Sequence, residues 1–275
     1  MTVAERLRSA VAELGPDSST ARLDAELLMA DALGVSRSAL LIERMREPAP
    51  ERFETLFARR LVGEPVAYIL GHTGFWDLEL AVTPDVLIPR GDSETLIRAA
   101  QEVCADNLPS RVLDCGTGSG ALLLAALRLF PEAQGVGIDR SAQALAVAAD
   151  NAARNGLSER VSMASRDWDT PGWADDLGHF DLILANPPYV EDHAALEPVV
   201  REHEPAGALF AGPEGLDAYR VLVPQFRDLL TNDGVAIVEI GARQAAQVTD
   251  IAAKCGLTVD LRHDLGNRPR ALILR

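Results

Sequence analysis

Residues 111–120 read RVLDCGTGSG, an apolar run that breaks into a glycine-rich turn. Val112 and Leu113 suit a buried strand, Asp114 and Cys115 close it, and Gly116, Gly118 and Gly120 follow at alternate positions. Glycine there permits left-handed backbone angles and lets a ligand approach the main chain with no Cβ in the way. The small and apolar residues 121–130 come next and read as a helix, so the stretch is strand, tight turn, helix. Working outward, the same order repeats. Strand-like runs at 135–139, 160–165, 180–186 and 234–240 are separated by helical ones such as 142–155. Parallel strands need crossover connections and helices supply them, so a parallel sheet covered on both faces is expected. The last part departs from the rule. Runs 257–264 and 270–275 are separated only by 265–269, too short for a crossover helix, so these two strands should be antiparallel.

Upstream the periodicity is helical. Val3, Leu7, Val11 and Leu14 share one face and stop at Gly15-Pro16; Leu23, Leu27, Leu28 and Met29 follow a capping region at 18–20 and end at Gly34. Pro48 and Pro50 open a third helix carrying Phe53, Leu56, Phe57 and Leu61, with Gly63 behind it. Short links between such helices mean a small bundle. Residues 75–86 (FWDLELAVTPDV) alternate apolar and polar side chains, which suggests a hairpin. The expected division is a helical domain at 1–72, a hairpin linker at 73–88 and the sheet domain at 89–275.

Composition bounds the function. Of 275 residues, 26 are Lys or Arg and 41 are Asp or Glu, a net charge of −15, which argues against a general electrostatic grip on nucleic acid. Hydrophobic residues make up 48%, enough for sizeable cores and far from disorder. Cys104, Cys115 and Cys255 are widely spaced and form no Cys-x-x-Cys pair, so free thiols in a reducing compartment are expected. Arg6 and Arg8 interrupt the apolar spacing at the start, which argues against a signal peptide. The longest apolar run, 121–127, is far short of the ~20 residues of a membrane span. A soluble, cytoplasmic protein is the expectation. The acid-rich stretch 191–204, with His193 and His203, matches no ligand spacing, so no metal site is expected.

The glycine turn has two functional readings. Gly116, Gly118 and Ala121 satisfy the dinucleotide fingerprint, which keeps a nicotinamide enzyme in play. Asp-x-Gly-x-Gly-x-Gly, opened by Asp114 and closed by Gly120, matches instead the nucleoside loop of S-adenosylmethionine methyltransferases. Asp139 ends the next strand, where an acid can accept both ribose hydroxyls in either case. The third glycine, the antiparallel ending and an extra domain that precedes the sheet favour the methyltransferase. A second turn points the same way. The strand at 180–186 ends in Asn186-Pro187-Pro188-Tyr189, whose prolines remove two N–H donors and stiffen the chain. What remains is a cluster of acceptors: main-chain carbonyls and the Asn186 side-chain oxygen. A planar amide or exocyclic amine is a poor nucleophile with a delocalised lone pair. Two acceptors holding its N–H groups would orient the nitrogen and stabilise the positive charge that develops there. Tyr189 offers a ring against which the planar group can pack.

DCGTGSG and NPPY together resemble the amino-methyltransferases that act on planar nitrogen. Phe75-Trp76, the segment 87–94 (LIPRGDSE), Arg166-Asp167-Trp168, Glu204-Pro205 with Ala208-Leu209, and Gly266-Asn267-Arg268 resemble one branch over essentially the whole chain: the peptide chain release factor glutamine N5-methyltransferases. The resemblance implies a seven-stranded, Rossmann-like S-adenosylmethionine-dependent methyltransferase sheet with an antiparallel last strand, plus a small N-terminal helical bundle that recognises substrate. It implies methylation of the glutamine in the Gly-Gly-Gln motif of class 1 release factors. Asp114, Gly116, Thr117, Gly118, Ser119 and Gly120 would line the methionine and ribose of the cofactor. Asp139 would take the ribose hydroxyls, Trp168 would pack by the adenine, and Asn186 would border the methyl donor. Asn186, Pro187, Pro188 and Tyr189 would hold the glutamine amide, with Asn186, Pro187 and Tyr189 the catalytic candidates. Arg90 and Glu94 match a segment near the cofactor with no assigned role. The family usually has Pro at Gly91 and Phe at His203; neither departure touches a chemistry-bearing position. A monomer without membrane attachment or stable nucleic-acid binding is expected. The alternatives are glutamine methylation of a ribosomal protein, N6-adenine or N2-guanine methylation of nucleic acid, and a non-catalytic cofactor-binding protein; an intact NPPY turn argues against the last.

Overall fold

The computed structural model describes residues 1–15 and 18–275. The chain forms two compact units, Met1–His72 with Leu196–His203, and Thr73–Ala195 with Glu204–Arg275. In the first, helices Val3–Leu14, Ala21–Leu33, Glu51–Leu61 and Val66–Leu70 enclose a core containing Val3, Leu28, Met29, Leu40, Phe53 and Phe57. Thr2 and Glu5 cap each other's backbone at the first helix, satisfying N–H groups that a helix start leaves open. That helix ends at Gly15, whose φ of 83° suits glycine, while Pro16 lies outside the described residues. Thr20 does not cap its helix: its hydroxyl bonds the Asp24 side chain instead. Phe53 and Phe57, one helical turn apart, stack at 5.3 Å. The Arg6 guanidinium lies over both rings and is held by Glu54 at 2.6 Å and Glu13 at 2.9 Å. Periodicity does not register the short helix Arg37–Ala39, which continues as a wider turn over Leu40–Arg44.

A two-stranded hairpin, β1 (His72–Phe75) and β2 (Leu78–Ala81), begins at the start of the second unit; it spans 72–81, whereas alternation placed it over 75–86. The sheet follows: β3 (Arg111–Cys115), β4 (Gln134–Asp139), β5 (Val161–Ser165), β6 (Phe180–Ala185), β7 (Leu230–Glu239), β8 (Val259–His263) and β9 (Pro269–Leu274). Its order is β5-β4-β3-β6-β7-β9-β8. Neighbours from β5 to β7 are parallel, and β9 is antiparallel to both β7 and β8. The expected antiparallel pair is therefore present, with the last strand inserted between its two partners.

Successive strand residues face opposite sides of a sheet, and the sequence uses both faces. Val112, Leu182, Leu184, Ile237 and Ile273 pack on one face with Leu96, Ile97, Leu123 and Leu127 from helices Glu94–Val103 and Ala121–Leu129. Leu113, Ile183, Ala236, Val238 and Leu272 meet Tyr219, Leu222, Phe226 and Val248 on the other. Both faces are dry, which is why these strands read as continuous apolar runs. No helix among the described residues is long and apolar enough to cross a membrane.

One buried side chain fastens the hairpin to the glycine turn. Asn151, on helix Ala142–Arg154, is fully buried; its amide nitrogen donates to the Ala81 and Ser119 carbonyls, both at 2.9 Å, and its oxygen accepts from the Ala81 N–H at 2.6 Å. Asn151→Ala strands these main-chain groups in a dry site, and we expect it to cost about 3 kcal/mol of unfolding free energy. Urea titration would show this as a lower midpoint with an unchanged slope.

Candidate active site

The strand order reverses between β3 and β6: the chain runs outward through β4 and β5, then returns to the other side of β3. Ligands in open α/β sheets sit beyond the carboxyl ends of the strands at such a reversal. Asp114 pairs with Leu184 and Cys115 with Ala185, so the turns that follow the two strands emerge side by side. These are the two turns that carry the sequence motifs. A cavity of about 430 Å³ lies there, lined by Asp114, Gly116, Thr117, Gly118, Ser119, Asp139, Trp168, Asn186 and Pro188, among others.

The first turn is held by its own backbone. Gly116 and Thr117 both donate to the Ile138 carbonyl, at 2.9 and 2.8 Å, and Gly120 donates to Thr117 at 2.7 Å. Gly116, Gly118 and Gly120 have φ of 75°, 54° and 84°, the left-handed region that favours glycine. At Gly116 a Cβ would also sit 3.2 Å from the Trp168 ring, so the cavity wall closes only over a bare backbone. Gly120 lies behind the cavity, where a Cβ would press on Leu124 and Ala148 and push the helix start outward. Asp139 braces the turn from β4. One oxygen accepts from the Gly118 N–H at 3.0 Å and the other from the Ser141 N–H at 2.9 Å, which leaves lone pairs on both for a ligand.

Asp114 is 1% exposed. Oδ2 accepts from the Thr117 hydroxyl at 2.7 Å, and Oδ1 has no partner in hydrogen-bond geometry. Burial pushes its pKa up to about 7; the Thr117 hydroxyl and the Leu123 amide oppose that, and the nearby Asp139 charge adds to it.

The second turn presents acceptors. Asn186 Nδ2 donates to Ser93 Oγ at 3.3 Å, which commits the nitrogen and leaves the amide oxygen for the cavity. Pro187 is buried and does not line the cavity, whereas Pro188 does. Tyr189 also lies off the cavity wall. Its hydroxyl donates to Glu239 Oε1 at 3.2 Å, and its carbonyl accepts from Gln244 at 3.0 Å. Its ring therefore braces the turn and is not part of the lining. The turn is pinned to 209–212: the Val190 N–H donates to the Leu209 carbonyl, and the Ala211 N–H donates to the Val190 carbonyl. Glu204, 6% exposed, accepts from the Ile88 N–H and pairs with Arg90, which lines the cavity. Glu94 pairs with Arg98 and accepts from the Trp76 N–H, so Arg90 and Glu94 serve different partners.

The sequence alone assigns no role to Ser93, which lies in the segment 87–94, or to Glu239 and Gln244. A faint signal exists for Glu239, an acid closing the otherwise apolar run 234–240.

A seven-stranded sheet with an antiparallel β9, a glycine turn after β3 and an acceptor turn after β6 at the strand-order reversal define a methyltransferase. Residues 109–258 match the family model described as Methyltransferase domain, and residues 5–71 the one described as PrmC N-terminal domain. The Rhodospirillum rubrum release factor glutamine methyltransferase is 44% identical over 260 residues, covering 92% of this chain and 78% of that protein. The protein of the same name from Bradyrhizobium diazoefficiens is 39% identical over 284 residues, covering 100% and 92%. The hMettl16 catalytic domain, solved in complex with the MAT2A 3′UTR hairpin 6, shares the fold. It aligns with a TM-score of 0.58 at 15% identity over 80% of this chain and 81% of that one. The chain belongs to the release factor glutamine methyltransferase family.

The cofactor of this class is S-adenosylmethionine, and the residues present fit it. Gly116 leaves room over Trp168 that any Cβ would fill, Asp139 keeps acceptor capacity, and Asp114 holds an unsatisfied oxygen at the cavity wall.

The Asp114 carboxyl yields a pH prediction. Folded, it keeps its proton up to about pH 7; unfolded, it releases it near pH ~4. The folded state therefore binds more protons between these limits, and stability falls as pH rises from about 4 to about 7, then levels. Its contribution is up to about 4 kcal/mol. Urea midpoints measured across that window should decline less steeply in Asp114→Asn than in the parent; parallel curves would contradict the assignment.

Proposed function

We propose that this chain transfers a methyl group to the side-chain nitrogen of the glutamine in the Gly-Gly-Gln motif of class 1 peptide chain release factors. The observation that carries this reading is the Asn186 amide. Its nitrogen is tied to Ser93, so it turns an acceptor toward the cavity beside the glycine turn. An amide substrate has two N–H donors to offer and no charge, and a −15 chain suits it better than a phosphate-rich nucleic acid. S-adenosylmethionine supplies an electrophilic methyl on a positively charged sulfur.

Asn186 Oδ1 and a main-chain carbonyl of the Pro187-Pro188 turn accept the two amide N–H groups and point the nitrogen at that methyl. As the nitrogen–carbon bond forms and the methyl's bond to sulfur breaks, leaving a neutral thioether, positive charge grows on nitrogen, and the same two acceptors stabilise it until one proton leaves to solvent. Fixed dipoles of this kind cost no reorganisation during the reaction. Asp114, Gly116, Thr117, Gly118, Ser119 and Asp139 hold the cofactor, with Trp168 against its adenine. Tyr189 steadies the acceptor turn through Glu239. The helical unit 1–72 recognises the release factor, and the enzyme works as a monomer in the cytoplasm.

Incubation with S-adenosylmethionine and a release factor should place one methyl on the Gly-Gly-Gln glutamine, read by peptide mass spectrometry. Methylation of a ribosomal protein or of adenine, with the release factor untouched, would refute the proposal. Asn186→Ala should lower turnover by about 10²-fold or more, while calorimetry shows S-adenosylmethionine affinity within about threefold of the parent.

A further inference from the structure

Behind the acceptor turn, outside the cavity lining, lies a buried carboxylate that takes no part in the transfer step itself. Glu239 ends β7 and is 1% exposed. Oε1 accepts from the Tyr189 hydroxyl at 3.2 Å. The Ser93 hydroxyl lies beside the same carboxylate and favours its charge. Arg270 joins the two segments, pairing with Asp92 at 3.1 Å and donating to the Ile240 carbonyl at 3.3 Å. Oε2 still has no partner in full hydrogen-bond geometry among the described residues. A buried acceptor that lacks a donor thus lies beside a hydroxyl with one hydrogen to give. On its other side, Ser93 Oγ stands 3.3 Å from Asn186 Nδ2.

Donor and acceptor counting then sets direction along this chain of groups. An ionised carboxylate only accepts, and a serine hydroxyl has a single hydrogen. With that hydrogen turned toward Glu239, Ser93 presents only lone pairs to Asn186. Asn186 can meet them only with its NH₂ group, and its oxygen must face the cavity. The two ends of an amide have nearly the same shape, so packing alone would not choose between them. A flipped Asn186 would offer N–H groups to a substrate nitrogen that has only N–H groups to offer.

We propose that Glu239 and Ser93 are positioning residues that lock the Asn186 amide with its oxygen toward the methyl acceptor. This rests on the activity proposed above and adds the device that aims it. Protonation of Glu239 releases the lock, because a carboxylic acid can give its own hydrogen to Ser93 and free the serine hydrogen for Asn186. The groups facing Glu239 set where this happens. Burial and Asp92 raise its pKa, whereas Ser93, Arg270 and Tyr189 lower it, and the Tyr219 ring lies close by. Turnover should therefore have an acid limb above the usual glutamate range.

Glu239→Gln keeps the shape but turns an acceptor into a group that can donate to Ser93. Single-turnover methylation of a release factor should slow by about tenfold or more, with S-adenosylmethionine affinity within about twofold and the thermal midpoint not lowered. The acid limb attributed to Glu239 should vanish. Ser93→Ala should slow the reaction similarly, Ser93→Thr should restore it, and the double variant should be no slower than the slower single. Parent-like rates in both Glu239→Gln and Ser93→Ala, or an unchanged acid limb in Glu239→Gln, would overturn the lock. Hydrogen exchange of the Asn186 side-chain amide, followed by nitrogen-15 NMR, reads the lock without turnover. It should quicken by about tenfold in either variant, and unchanged exchange in both would overturn the proposal. If the parent itself leaves the release factor unmethylated, the activity reading fails, and the exchange measurement alone decides the lock.

Discussion

The pairing of β3 with β6 governs the rest of the site. Both strands are parallel, both are buried on two faces, and their register puts Cys115 beside Ala185. Each strand therefore delivers its own turn to the same rim. One turn follows with three left-handed glycines, the other with two prolines. The first takes shapes that side chains resist, and the second refuses most shapes altogether. A slip of one residue in this pairing would turn every apolar side chain to the wrong face, so the cores on both sides hold the two turns in alignment.

Much of this was legible along the chain, because it is local. The strand, turn and helix at 111–129 lie in one continuous stretch, and the period of the apolar residues separates strand from helix without knowledge of neighbours. The antiparallel ending followed from the length of one connection, and alternation over 75–86 found the second hairpin strand but not the first. Strand order was less accessible. The apolar runs of β7 and β9 look alike to any partner, and nothing in their periodicity says that β9 slides between β7 and β8. The side chains that aim the site were also hidden. Ser93 meets Asn186 across 93 residues, and Glu204 reaches Ile88 across 116. A lone polar residue says nothing about a partner so far away. Nothing in the acid-rich stretch 191–204 signals that part of it, Leu196–His203, belongs to the same compact unit as the N-terminal helices.

The two buried acids at the base of the site, Asp114 and Glu239, are both held above the usual carboxylate range by loss of solvent. Each is 1% exposed and each keeps one oxygen without a partner in hydrogen-bond geometry. Apolar residues of similar size would suit a dry core better if stability alone were selected. Their cost falls where the two turns leave the sheet, and in both cases the other oxygen accepts a hydroxyl hydrogen from a residue of the motif, Thr117 or Tyr189.

The insertion of β9 also constrains the order in which the sheet can assemble. β8 precedes β9 in the chain, yet β9 is its sole neighbour in the sheet. β8 therefore completes its strand ladder only once its successor has docked. Until then β7 keeps an open apolar edge at 234–240, the kind of edge that recruits strands from other molecules. Between making β7 and closing it with β9, a growing chain of this fold carries an open strand edge exposed to mispairing.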